Sequence, residues 1–377
     1  MCNRRAFLRL SATAAAGAPW ALANGLDRAP GLDRSAAKVA IVACRSYGSE
    51  VKAALRRSLD LLGGIGSLVR NKTVTVKLNL TGTNFTSLFG RPVGESYMTH
   101  PATVTALTAL LFDAGASRVR LVESTNSHAP LESTLALADW DVRALAALGR
   151  VEFENTRNLG LGKRYAHLKV PAGGYVFSSF DLNHSYADTD VLVSLAKLKQ
   201  HVTAGVTLAM KNLFGITPNA LYGDQAGTED ATAGRGPLHD PREFQHVKLP
   251  GLRTDATSSD PFYRVPHIVA DLCAARPIDL AIIDGITSMK GGEGPWCGEV
   301  KPIAPGVLIA GLNPVSTDAV ATAVMGFANP RATRGRSPFE HGDNHLLLAE
   351  QAGVGSAELA RIDVRGLALD QARCPYT

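Results

Sequence analysis

The sequence predicts a mostly parallel α/β sheet with helices on both faces, a Rossmann-like three-layer architecture. Short β-branched runs alternate with amphipathic helical stretches, glycines and prolines punctuate them, and polar residues gather where the runs end. The first strand is read over Val39 to Ala43 and a helix over Ser49 to Leu62, stopped by Gly63-Gly64. The strand Thr73 to Lys77 feeds a polar loop from Asn79 to Glu95. Pro101 opens a helix through Leu111, closed by Gly115, and a strand from Arg118 to Val122 ends on Glu123.

After an irregular middle the alternation resumes. Asp190 to Ser194 reads as a strand, Thr203 to Leu213 and Val265 to Ala275 as helices, Leu280 to Ile283 and Gly306 to Ala310 as strands, and Pro314 to Met325 as a helix. Residues 219–262, rich in Gly, Asp, Thr and Pro, read as a long insertion or lid. One α/β domain is therefore expected over residues 38–377, with a division into two lobes as the alternative.

Residues 1–23 are set apart as a twin-arginine signal peptide. Arg4-Arg5, Phe7-Leu8 and Arg9 precede an Ala-rich apolar run ending at Ala21-Leu22-Ala23, a small-x-small cleavage pattern. Residues 24–37, with the repeated Gly-Leu-Asp-Arg at 25–28 and 31–34, read as a linker. Export of a folded protein to the periplasm, or an equivalent exported location, follows as the expectation.

The formal charge of +5 falls to about +2 once the three signal arginines are set aside. Lys and Arg form no runs, so no nucleic-acid footprint is predicted. No later stretch is apolar over 18 residues, so no stable membrane span is expected after signal removal. Cys44, Cys273, Cys297 and Cys374 remain; four cysteines allow three disulfide connectivities, and Cys44 and Cys273 sit in apolar surroundings that suit buried thiols. No C-x-x-C run is present, hence no iron–sulfur motif.

Ligands of open α/β sheets bind at the carboxyl ends of the strands, and three polar clusters fall there. Lys77 and Asn79 end one strand, and His100 stands before Pro101 at a helix start, where it either caps the helix or serves a site. Lys197, Lys199 and His201 follow another strand, with Lys211-Asn212 ten residues on. Asp284 ends a third strand, ahead of Gly291-Gly292-Glu293-Gly294-Pro295. Lys77, Asn79, Lys199, Lys211 and Asn212 are the candidates for binding an anionic small molecule. His100, His201, Asp284 and Glu293 are those for proton transfer or catalysis. The sequence fixes no cofactor. A metal ion is a candidate, and His341 and His345 have the i,i+4 spacing that binds zinc on a helix, although Gly342-Asp343-Asn344 reads as a loop and N-cap.

These segments together resemble the domain of unknown function 362 family. The matching residues are Val76 to Leu80, Thr99-His100-Pro101, Ala114-Gly115-Ala116, Lys197 to Thr203, Lys211 to Gly215, Leu280 to Gly285, Glu293-Gly294-Pro295 and Asn313 to Val320. The resemblance runs from about residue 38 to 330. It implies redox company, because relatives often carry appended four-iron, four-sulfur modules; this chain has none, so electrons would come from a bound cofactor or a redox partner protein. Asp318 belongs to the family pattern and reads as a first-turn acid favoured by its helix dipole. The leading expectation is an exported, cofactor- or metal-dependent enzyme, with an oxidoreductase as the candidate class, and one shared Lys/His/acid cleft. The alternatives are a non-catalytic binder of an anionic ligand and an accessory subunit of an exported redox enzyme.

Overall fold

The computed structural model describes residues 37–376 apart from 81–84, 241, 243 and 245. The expected signal peptide and all but the last residue of the expected linker lie outside the described residues.

Eight strands form the central sheet: β1 (Ala37–Ala43), β2 (Thr73–Lys77), β3 (Arg118–Glu123), β4 (Val151–Asn155), β5 (Val191–Lys197), β6 (Leu280–Gly285), β7 (Val307–Gly311) and β8 (Ile362–Gly366). Their order across the sheet is β8-β1-β7-β6-β5-β2-β3-β4. All neighbours are parallel except β7, which runs antiparallel to both β1 and β6. The inner strands are near-continuous apolar runs, as a sheet covered on both faces requires.

The helices α1 (Glu50–Leu61) and α2 (Pro101–Asp113) cover one face, packing Leu55 and Leu107 on Val42, Val76, Val193 and Ile282. The opposite face carries α3 (Leu208–Asn212), α4 (Arg264–Ala275), α5 (Pro314–Val324) and α6 (His345–Gln351), which pack on Ile41, Leu192, Ile283 and Ile309. The result is a three-layer α/β architecture. The chain runs outward through β2, β3 and β4, then lays β5 and β6 on the other side of β2. The carboxyl ends of β2 and β5 are therefore the switch point at which a crevice opens.

Three readings of the sequence need correction. The expected helix from Thr203 to Leu213 is instead a tight hairpin, Gln200–His201 against Gly205–Val206, followed by the five residues of α3. Gly205 has a φ of +75°, and a Cβ there would lie 2.7 Å from both the Phe339 ring and the Pro338 carbonyl oxygen. Asp318 does not serve its own helix, which Asn313 caps. Its buried carboxylate accepts hydrogen bonds from Ala209 N at 2.9 Å and Met210 N at 2.8 Å, holding the start of α3 where Leu208 takes a φ of +46°. The middle of the chain is not wholly irregular either, since it supplies β4 and the hairpin Ala166–Lys169 with Ser179–Leu182.

Asp318→Ala removes both acceptors from a buried helix start. We expect it to destabilise the protein by about 2 kcal/mol or more, measured as a lower urea midpoint at unchanged m-value.

Candidate functional site

At the switch point a pocket of about 300 Å³ opens on the α3 side of the sheet. Its floor is an ion pair. Lys77, the last residue of β2, places Nζ 2.6 Å from Oε1 of Glu123, the last residue of β3, and both side chains are 2% exposed. Glu123 also accepts hydrogen bonds from Leu80 N at 2.7 Å and Ser124 N at 2.9 Å, so both strand exits are tied to one carboxylate. Asn212, in the last turn of α3, donates to Lys77 O and Ser194 Oγ and accepts from Asn79 Nδ2 at 3.1 Å. Asn79 Oδ1 is buried beside them and has no hydrogen-bond partner among the described residues. Gly215 allows this approach, because a Cβ there would lie 3.0 Å from Lys77 Nζ.

The walls carry two cations without a carboxylate partner among the described residues. Arg235 Nη2 donates to Ser124 Oγ at 2.6 Å, and Nε donates to Thr217 O at 2.9 Å; both acceptors are neutral. Lys211 Nζ lies 4.2 Å from the centre of the Phe214 ring and makes no hydrogen bond or ion pair among the described residues. Burial lowers the Lys211 pKa to about 7, with the Glu293 carboxylate opposing and Arg235 and Lys77 assisting the shift. Glu293 accepts from Val202 N at 2.9 Å and Trp296 Nε1 at 3.2 Å.

Two histidines of this pocket have opposite tautomers, inferred from their backbone partners. His201 Nδ1 accepts from Thr203 N at 3.1 Å, which puts the proton of the neutral ring on Nε2. His239 Nδ1 lies 2.8 Å from Arg235 O, which only accepts, so His239 carries its proton on Nδ1 and offers Nε2 as an acceptor. Burial, with the Lys211 charge, pushes His239 down to about 4 and His201 well below its ordinary value. Both rings are therefore neutral at pH 7.

A second polar network lies on the α2 face. Lys197 and Asp284 are in-register neighbours at the ends of β5 and β6, both fully buried, with Nζ 3.5 Å from Oδ2. Asp284 also accepts from Tyr47 Oη at 2.9 Å and Thr103 Oγ1 at 3.0 Å. The His100 ring stacks on Tyr47 at 3.5 Å, and its Nδ1 accepts from Ala102 N as the cap of α2. Burial, then the Lys197 charge, drives His100 down to about 4.

The expected single cleft is thus divided. Lys77, Asn79, Lys211, Asn212, His201 and Glu293 line one pocket. His100 and Asp284 do not, because Lys77 and Lys197 sit at positions of opposite parity on paired strands and project to opposite faces. Lys199 is also absent from the lining; its buried ammonium donates to Tyr97 O at 2.7 Å and Glu293 O at 2.8 Å. Among the described residues of 219–262 the helical pieces are two single turns, Asn219–Tyr222 and Gly236–His239, yet this stretch supplies Arg235 and His239. Neither residue has a local sequence signature. Glu123 has one, as an acid ending an apolar strand, and was not among the expected site residues.

His341 and His345 do not form a pair. His341 is exposed and stacks on Phe262, whereas His345 is buried as the first residue of α6, after its cap Asn344. Among the described residues no three His, Cys, Asp or Glu side chains are grouped closely enough to hold a metal ion. Cys44 and Cys273 are buried, and all four described cysteines are free thiols. A further cavity of about 360 Å³, bordered by Phe244, Leu249, Leu252 and Arg264, shares no residue with the strand ends.

Asp284→Ala would leave the Lys197 ammonium buried without its carboxylate. We expect a loss of about 3–5 kcal/mol in chemical unfolding. Between about pH 7 and its ordinary value of 10.5, Lys211 holds its proton less in the folded protein than in the unfolded chain. Its penalty is thus complete below pH 7 and relieved as pH rises through that window. The stability of Lys211→Met relative to wild type should therefore be highest at pH 6 and fall steadily by pH 9.5 in urea titrations.

Residues 74–323, about two thirds of the chain, match the family described as Domain of unknown function (DUF362). A thylakoid-associated protein of Synechocystis sp. is 26% identical over 299 residues, covering 76% of this chain and 74% of that protein. A Thermotoga maritima crystal structure aligns with a TM-score of 0.36 at 15% identity, over 71% of this chain and 55% of that one, so the chain spans about half the length of that protein. On the length of the match, and with the lysine-rich segment of residues 197–213 inside it, this chain belongs to the DUF362 family.

Proposed function

We propose that the pocket between β2 and β5 binds a small anionic molecule and that the protein acts on it as an enzyme. The observation that carries this reading is the pair Arg235 and Lys211, two cations lining one pocket without a carboxylate for either among the described residues. A burial cost of this kind persists when a ligand supplies the missing charge. The enzymatic part rests on Lys211, whose pKa of about 7 makes the amine able to hold or release a proton at neutral pH. His201 Nε2–H would orient a ligand oxygen, with the Lys77–Glu123 pair as a fixed polar floor behind it. A redox role remains an implication of the family resemblance and draws on no particular residue of this pocket. Folded export through the twin-arginine pathway is part of the same reading. It rests on Arg4-Arg5 and Ala21-Leu22-Ala23, and replacing both arginines by lysine should abolish export in cell fractionation.

Titration calorimetry at low salt with phosphate, pyruvate and succinate tests the binding. We expect one site for at least one of these anions, weakened about tenfold or more by Arg235→Gln, the loss of one charge-assisted hydrogen bond. Unchanged affinity in Arg235→Gln would remove the basis of the reading. Binding with no turnover of any bound anion would favour the non-catalytic alternative.

A further inference from the structure

Four lysines among the described residues are buried, and three of them are engaged. Lys77 pairs with Glu123, Lys197 pairs with Asp284, and Lys199 donates to two backbone carbonyls. Lys211 differs. It is 9% exposed and lines the pocket, yet among the described residues its ammonium makes no hydrogen bond or ion pair and lies over the Phe214 ring face. A lysine kept for stability is held by acceptors, as the other three are. An amine kept for chemistry has its lone pair free and its proton loosely bound.

The groups around it suit one kind of electrophile. Arg235 Nη1 makes no hydrogen bond among the described residues, which leaves one end of the guanidinium for a carboxylate. His201 presents an N–H through Nε2, which suits a carbonyl oxygen. Asn79 Oδ1 is a buried acceptor lacking a donor, which suits a hydroxyl or N–H formed during reaction. A carbonyl next to a carboxylate fits all three.

We propose that Lys211 is the nucleophile of this pocket and forms an imine with a small 2-oxo acid whose carboxylate Arg235 holds. The proposal rests on the anion-binding reading above. The Lys211 lone pair attacks the carbonyl carbon, the C–N bond forms, and the π pair moves to oxygen, which takes a proton from nitrogen. The carbinolamine then loses its hydroxyl, together with the second nitrogen proton, as water, while the nitrogen lone pair forms C=N. No oxidant or reductant is consumed. The low pKa of Lys211 supplies free amine at neutral pH.

The test is trapping with sodium cyanoborohydride in the presence of pyruvate or glyoxylate, using the intact protein, followed by peptide mass mapping. The expected result is one secondary-amine adduct on Lys211. It should form at least about tenfold faster than on the exposed Lys52 and accelerate from pH 6 to pH 8 as the amine loses its proton. Arg235→Gln should slow it about tenfold at subsaturating oxo acid, and Lys211→Arg, checked for folding by circular dichroism, should abolish it. Equal labelling of Lys52 and Lys211 would overturn the proposal. Calorimetric binding of phosphate or pyruvate without Lys211 labelling would overturn the imine and leave the anion pocket standing. If neither anion binds and Lys211 is not labelled, both readings fall.

Discussion

The buried ion pair between Lys77 and Glu123 is the constraint around which the site is arranged. Parallel strands release their chains at one edge of the sheet, where the last residues have no further ladder to join. Glu123 closes that edge for two strands at once by accepting Lys77, Leu80 N and Ser124 N. With its charge already answered by Lys77, Glu123 has little capacity left for Arg235, which turns to neutral oxygens. The positive character of the pocket therefore follows from how the two strand ends are fastened. Burying the pair is expensive, and breaking it would be more so, which makes the surrounding geometry rigid.

The period of a strand explains the division into two networks. Side chains alternate across a sheet, and Lys77 and Lys197 end paired strands on opposite parities, so one ammonium meets α3 and the other meets α2. On the α2 face, Lys197, Asp284, Tyr47 and Thr103 satisfy one another. On the α3 face the corresponding demands are left partly unmet, at Lys211, Arg235 and Asn79. The two clusters thus differ in kind: one is complete within the protein, and the other is open to a ligand.

Much of the layered architecture was legible because hydrophobic period and turn residues report local structure, and the strands at Val39, Thr73, Arg118, Leu280 and Gly306 lie within a residue or two of those expected. The hairpin at Gln200–Val206 was not, because Gly205 reads as an ordinary glycine until Phe339 and Pro338 are seen packed against it. Six of the nine expected site residues share the pocket, since strand ends mark the carboxyl edge in any such sheet. Which face each residue occupies depends on register between strands distant in sequence, and a single chain does not display that. For this reason His100, Lys199 and Asp284 were grouped with a pocket they do not line. Arg235 and His239 come from a stretch with neither period nor motif, and only tertiary contact brings them in.

The pairing of β1 sets an order on the making of this protein. A ribosome releases β1 early, yet its two neighbours are residues 307–311 and 362–366. Until those emerge, the apolar segment Ala37 to Ala43 has no ladder to enter, and it is the sort of sequence that pairs with strangers. A nascent chain carries that unpaired strand until residues 307–366 have emerged. Once β7 and β8 dock, that first strand has a partner on each side, one in from the edge of the finished sheet. The pairing of β1 on both sides is therefore a molecular record that translation has passed residue 366.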